Sequence, residues 1–270
     1  MKIAISNIAW QVQEEEAIAN LMQNLNIKGV EIAPTKNWPS PLTASDSEIA
    51  AYRKFWESRD IEIVAMQALL FGRPDLTIFQ SEQKRQETFE YLSGIIQLGS
   101  KFGAKVLVFG SPKNRSIGKL PPQQVQQIAK EFFYGLGEVA SKNGVFFCIE
   151  PNPPVYGCDF INTSTQGLEL VNTVNSDGFG LHLDAAGMTM SGEAIAGAIE
   201  QAFKRVCHFH ISEPNLGQIG TGGVDHQLFS HTLSELNYQG WTSIEMKTQN
   251  PDANITNVEQ ALQIAIQHYS

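Results

Sequence analysis

Val145-Phe-Phe-Cys-Ile-Glu150 is an apolar run closed by a carboxylate, and three later stretches repeat the design. They are Phe179-Gly-Leu-His-Leu-Asp184, Arg205-Val-Cys-His-Phe-His210 and Trp241-Thr-Ser-Ile-Glu245. Each is short and nearly continuously apolar, as expected of a strand covered on both faces. Their last residues stand 34, 26 and 35 positions apart, about one strand-plus-helix unit each. If the runs are neighbouring parallel strands, Glu150, Asp184, His210 and Glu245 converge at one edge of the sheet. Two glutamates, an aspartate and a histidine make a hard, mostly oxygen site suited to one divalent ion such as Mn²⁺ or Mg²⁺. Without a cation, carboxylates gathered in this way would repel one another.

The same alternation extends in both directions. Further strands are predicted over Lys2–Asn7, Gly29–Ala33, Glu62–Gln67 and Lys105–Phe109, and the quoted runs give Val145–Glu150, Phe179–Asp184, Arg205–His210 and Thr242–Met246. Amphipathic stretches lie between them: Glu14–Leu25, Asp46–Ser58, Glu82–Phe102, Gln123–Lys142, Thr165–Asn175, Ala194–Phe203, Gln227–Leu236 and Asn257–His268. Ser47 before Glu48 and the pair Ser164-Thr165 read as helix caps, and Gly144 and Gly240 as helix stops. Eight strands alternating with eight helices is the arithmetic of an α/β chain folded as a single (β/α)₈ TIM barrel over residues 1–270. A doubly wound open sheet competes less well, because no GxGxxG follows the first strand and no composition shift marks a second domain. The proline-containing stretch Ser111–Gln123 reads as a long βα loop rather than a linker.

A net charge of −9 argues against a protein that binds nucleic-acid phosphates, and 42% hydrophobic residues support a sizeable core. No run approaches the roughly 18 apolar residues that span a bilayer, and the amino-terminus lacks the apolar core of a signal peptide. Cys148, Cys158 and Cys207 form no CxxC pair and read as free thiols. A cytoplasmic protein is expected, and a homo-oligomer is left open because nothing in the sequence singles out a pairing surface.

In a (β/α)₈ barrel the βα loops form the face that carries chemistry. Asn7, Trp10, Gln67, Asn152, Glu213 and Lys247 join the four opening residues at or just beyond strand ends. They are candidates to touch substrate, Lys247 as a cation for a carboxylate or phosphate, and Trp10, Trp38 and Phe71 as walls. His182 and His208 share a strand face with Asp184 and His210, so they read first as interior groups behind the ligands, and they also join the candidates to touch substrate. His226, His231 and His268 read as solvated helix residues, and Asp225 as a helix cap.

Aligned on these residues, the chain resembles the xylose-isomerase-like TIM-barrel superfamily of sugar and sugar-phosphate isomerases and epimerases. The resemblance is carried by Cys148-Ile-Glu150-Pro-Asn152, Leu183-Asp184, His208-Phe-His210-Ile-Ser-Glu213, Gly220-Thr-Gly-Gly-Val-Asp225 and Ser243-Ile-Glu245-Met-Lys247. It implies that Glu150, Asp184, His210 and Glu245 hold one divalent ion (Mn, Mg, Co or Zn). It also implies that Glu150 and Glu245 exchange protons with a small sugar, sugar phosphate or hydroxycarbonyl substrate through an enediolate. A cyclitol or keto-sugar dehydratase and a non-catalytic sugar-binding protein are the alternatives. Three positions depart from the epimerase pattern: Gly187 replaces a histidine, Leu216 an arginine and Tyr156 a carboxylate. Gln67, the Phe109-Gly110 region and Gly187 likewise stand where the related endonucleases carry extra metal-binding histidines, which speaks against DNA as substrate.

Overall fold

The computed structural model describes residues 1–248 and 251–270. Eight parallel strands close on themselves in sequence order: β1 (Lys2–Ser6), β2 (Gly29–Ile32), β3 (Glu62–Met66), β4 (Val106–Phe109), β5 (Phe146–Ile149), β6 (Phe179–Asp184), β7 (Val206–Ser212) and β8 (Trp241–Glu245). Closure is made by β1 against β8, with Ile3 opposite Thr242 and Ile5 opposite Ile244. The fold is a single (β/α)₈ barrel, as the alternation predicts. Around it run α1 (Glu15–Asn24), α2 (Pro34–Asn37), α3 (Asp46–Glu57), α4 (Glu82–Phe102), α5 (Pro122–Lys142), α6 (Ser164–Val174), α7 (Ala185–Met190), α8 (Ile195–Ala202), α9 (His226–Glu235) and α10 (Asn254–Tyr269). The short α2 and α7 sit in βα loops and were not legible as separate elements. Among the described residues, no helix is long and apolar enough to cross a membrane.

Local chemistry explains the boundaries. Ser45, not Ser47, caps α3: its hydroxyl accepts from the Glu48 amide while the Glu48 carboxylate accepts from the Ser45 amide at 2.8 Å, a reciprocal box that needs a three-residue spacing. Thr163 caps α6 in the same position, one residue earlier than the sequence suggests. Asp225 caps α9 as expected, accepting from the Leu228 amide at 2.9 Å.

Strand residues alternate between two environments. One set, including Ile5, Ile32, Phe147, Leu181 and Phe209, packs outward against helix residues such as Ile18, Ile95, Phe133 and Leu262. A smaller cluster (Ala4, Val64, Ala65, Val106, Val108 and Cys148) fills the barrel interior, with Trp241 and Cys207 against it. The interior is therefore packed at one end. At the other end it turns polar, and that polar layer is the site.

Two register slips aim this layer. Pairing shifts between Val30 and Glu31 on β2, and between Leu181 and His182 on β6. Beyond the second slip His182 pairs with His208, Asp184 with His210, and Ser212 with Glu245. β7 runs on to Ser212, so His210 lies inside its strand rather than at its end, as the sequence pattern suggested. Glu150 stands one residue past β5, while Asp184 and Glu245 end β6 and β8.

Candidate metal centre

Glu150, Asp184, His210 and Glu245 each offer one ligand atom, and these four atoms lie within 4.8 Å of one another. His210 Nδ1 stands 3.5 Å from Glu245 Oε2 and 3.9 Å from Glu150 Oε1. Those separations are too long for hydrogen bonds and suit neighbouring ligands around a shared cation. Nδ1 is buried and has no hydrogen-bond partner. An orphaned imidazole nitrogen facing three carboxylates fits a hard divalent ion.

The other side of the ring explains why Nδ1 is available. His210 Nε2 lies 2.9 Å from Glu31 Oε2, and both residues are fully buried. Burial would raise the Glu31 carboxyl, but the His210 and His208 imidazoles outweigh it and hold Glu31 well below the ordinary range. An ionised carboxylate only accepts, so His210 donates from Nε2 and turns Nδ1 to the cage. A carboxylate behind a ligand histidine fixes its orientation and raises its basicity. Glu31 escaped the sequence reading; its only signal is a charge inside the apolar run Gly29-Val-Glu-Ile-Ala33.

The carboxylates carry the cost of crowding. Burial, then Glu245 and Asp184, push Glu150 up to about 8. Burial and Glu245 push Asp184 up to about 6. Asp184 is also held in place from outside the cage: it accepts from the Ser212 hydroxyl, and from the Gly187 amide at 2.6 Å as the cap of α7. Glu150 is seated against a glycine, since a Cβ built on Gly110 would lie 1.6 Å from Glu150 Oε2.

Above the cage opens a cavity of about 510 Å³. Glu150, Asp184 and Glu245 reach it, together with four of the expected substrate residues: Gln67, Asn152, Glu213 and Lys247. Gln67 is tied to the Ser6 hydroxyl at 2.5 Å, and Asn152 donates to the Glu150 carbonyl at 3.3 Å. Glu213 accepts from the Gly220 and Val224 amides and faces His226 at 3.2 Å, so its carboxylate braces the glycine-rich loop. His226 is correspondingly buried, contrary to the solvated reading.

The other four lie outside the cavity wall. Asn7 is spent on the Ala33 amide and on Asn37. Trp10 is buried against Trp56, with the Lys36 ammonium over its ring. His182 and His208 are buried in contact with His210, ring centroids 4.1 and 5.4 Å away. Burial and the two neighbouring imidazoles drive His182 well below its ordinary range. Trp38 packs on Tyr52 and Phe102, whereas Phe71 stands at the cavity mouth. Gly187, Leu216 and Tyr156, the three departures, all line the cavity.

A closed (β/α)₈ barrel with one imidazole and three carboxylates gathered under a cavity on its loop face defines the class: a barrel built around a candidate metal centre. Residues 19–268 match the family model of the xylose isomerase-like TIM barrel, and the chain belongs to that family. A probable ketose 3-epimerase of Synechocystis sp. is 27% identical over 164 residues, 59% of this chain and 56% of that protein. An L-ribulose 3-epimerase of Methylomonas sp. is 32% identical over 90 residues, 33% of this chain and 32% of that protein. The matched stretches thus cover between a third and little more than half of these relatives. Among solved structures, D-psicose 3-epimerase with D-tagatose from Clostridium cellulolyticum H10 superposes with a TM-score of 0.84 at 17% identity, covering both chains fully. The IOLI protein with a bound zinc atom gives 0.77 at 20% identity, over 100% of this chain and 99% of that one. At these identities the structural likeness is one of fold.

Proposed function

We propose that the protein is a divalent-metal-dependent isomerase or epimerase acting on a small sugar, sugar phosphate or related hydroxycarbonyl compound. The observation that carries this reading is the four-residue cage with two glutamates at the floor of the cavity. The names of the relatives, ketose and L-ribulose 3-epimerases, support it. Glu150, Asp184, His210 and Glu245 would hold the ion, with Mn, Mg, Co and Zn all compatible with this donor set. When bound, the ion supplies Lewis acidity toward the substrate carbonyl and offsets the repulsion among the carboxylates.

Glu150 and Glu245 then do the proton work. One takes the proton from the carbon beside the carbonyl; the same residue or the opposite one returns it. Return from the opposite face inverts the centre, and two carboxylates flanking one cavity suit that outcome. The Glu31–His210 pair and the Ser212–Asp184 and Gly187–Asp184 hydrogen bonds keep the remaining two side chains oriented. Walls of Leu69, Leu70, Val108, Phe109 and Leu216 limit water around the reacting carbon.

The test is elemental analysis followed by deuterium incorporation from D₂O into candidate ketoses. The expected result is about one divalent ion per chain and exchange that is lost in Glu150→Gln and Glu245→Gln. Sugar binding with no exchange in the wild type would mark a non-catalytic binding protein instead. Absence of metal after soaking in Mn²⁺, Co²⁺ and Zn²⁺ would sink the mechanism.

A further inference from the structure

Arg115 belongs to the long loop between β4 and α5, where no pattern in the chain singles it out, yet its side chain is fully buried. A buried guanidinium ordinarily sits against a carboxylate, because a desolvated charge without a partner is costly. Among the described residues, no carboxylate oxygen comes within ion-pair distance of Arg115. Its contacts are of another kind. One terminal nitrogen donates to the Glu150 carbonyl at 2.7 Å and lies 3.6 Å from the Cys158 sulfur. The other donates to the Phe109 carbonyl at 3.3 Å, and the guanidinium lies over the Phe109 ring.

Those two carbonyls are the ends of neighbouring strands. Phe109 closes β4 and Glu150 follows β5, and the last link between them is the Glu150 amide donating to the Phe109 carbonyl at 3.2 Å. Gly110, which seats the Glu150 carboxylate, is the next residue after Phe109. Arg115 therefore spans the joint on which the geometry of Glu150 depends. We infer that Arg115 is a positioning residue: its planar fork clips the ends of β4 and β5 together and so holds Glu150 in the cage. The assignment rests on the proposed metal-dependent reading. Arginine suits the task because its fixed fork reaches two acceptors at once, which a lysine ammonium cannot do in the same geometry.

The same two loops carry a second tie that does not touch Glu150. The exposed Asp159 carboxylate accepts from the Ser116 hydroxyl at 2.8 Å and from the amides of Ile117 and Gly118. It is the control for a role that is only structural. The experiment measures Mn²⁺ dissociation constants by calorimetry and melting temperatures for the wild type, Arg115→Lys, Arg115→Met and Asp159→Asn, with kcat and KM for any ketose that exchanges deuterium. Arg115→Lys keeps the charge and guards against an Arg115→Met chain that fails to fold.

The expected result is roughly 10-fold or greater weakening of Mn²⁺ binding in the Arg115 variants, the scale typical of groups that orient metal ligands. Loss of kcat should accompany it, with KM little changed. Asp159→Asn should lose melting temperature while keeping Mn²⁺ affinity within about twofold, well short of that scale. Arg115→Lys with wild-type affinity, or the same loss of affinity in Asp159→Asn, would overturn the assignment and leave the metal reading standing. A wild type that binds no Mn²⁺ would overturn both.

Discussion

At the scale of single residues, the site depends on what is absent as much as on what is present. Gly110 has no side chain, and the Glu150 carboxylate occupies the place where one would be. Its backbone is not among the positive-φ positions, so alanine meets no conformational penalty there. The whole cost of Gly110→Ala therefore falls on Glu150, whose Oε2 must leave a position 1.6 Å from the new Cβ. The expected outcome is a folded barrel with unchanged circular dichroism that no longer retains Mn²⁺ on a desalting column. A Gly110→Ala protein that binds Mn²⁺ like the wild type would show that Glu150 reaches the ion from another rotamer. Glu31 acts in the opposite sense, a charge placed where a strand needs none. It is tolerable only because His210 and His208 face it, at 2.9 and 3.6 Å.

At the scale of elements, the strands were legible because each is a short apolar run, and most edges agree with the pattern to within a residue or two. The cage was legible for the same reason, since a ligand at the end of each run converges with the others once the order of strands is known. What escaped depends on pairing rather than periodicity. Alternation cannot announce the slips at Val30/Glu31 and Leu181/His182, and nothing in the run Gly29–Ala33 says that Glu31 meets His210, whereas the interior place of His208 follows from the strand face it shares with His210. Arg115 escaped because a loop residue carries no period at all, and Asn7 and Trp10 were overvalued because proximity to a strand end does not say which way a side chain turns. The opposite end of the barrel offers a check on the packing itself. A Cβ at Gly29 on β2 would lie 2.6 Å from the Trp241 ring of β8 and 2.8 Å from Ala4 Cβ on β1. Gly29→Ala should thus overpack the place where the barrel closes, at a cost of about 1–3 kcal/mol in urea unfolding. Mn²⁺ affinity at the far end should be unchanged; equal stability would mean that the indole swings aside without cost.

At the scale of the whole molecule, the crowded carboxylates couple folding to pH and, on the proposed reading, would couple it to metal. Asp184 and Glu150 bind their protons more tightly in the folded chain, at about 6 and about 8, than carboxyls do when unfolded. For groups raised in this way, the stabilising contribution is full below the unfolded pKa near 4 and is lost as pH rises through the folded values. Through these two groups the metal-free protein should lose stability between about pH 4 and pH 8, by at most about 1.4 kcal/mol per pH unit for each proton released. His182, held low by burial, gives stability back as pH rises toward the ordinary imidazole value. A divalent ion held as proposed would reverse the balance. It requires the ionised carboxylates, so protons compete with it below the same pKa values. The loaded protein is relieved of the repulsion that the empty one suffers at high pH. Two opposite slopes follow, and the gap between them is the measurement: the rise in melting temperature on adding a fixed excess of Mn²⁺, taken from pH 5.5 to 8.5. That rise should be small at pH 5.5 and grow steadily toward pH 8.5, and Asp184→Asn should flatten it. A shift that stays constant or shrinks over this range would mean that the ion does not displace these protons, and that it binds somewhere other than the cage.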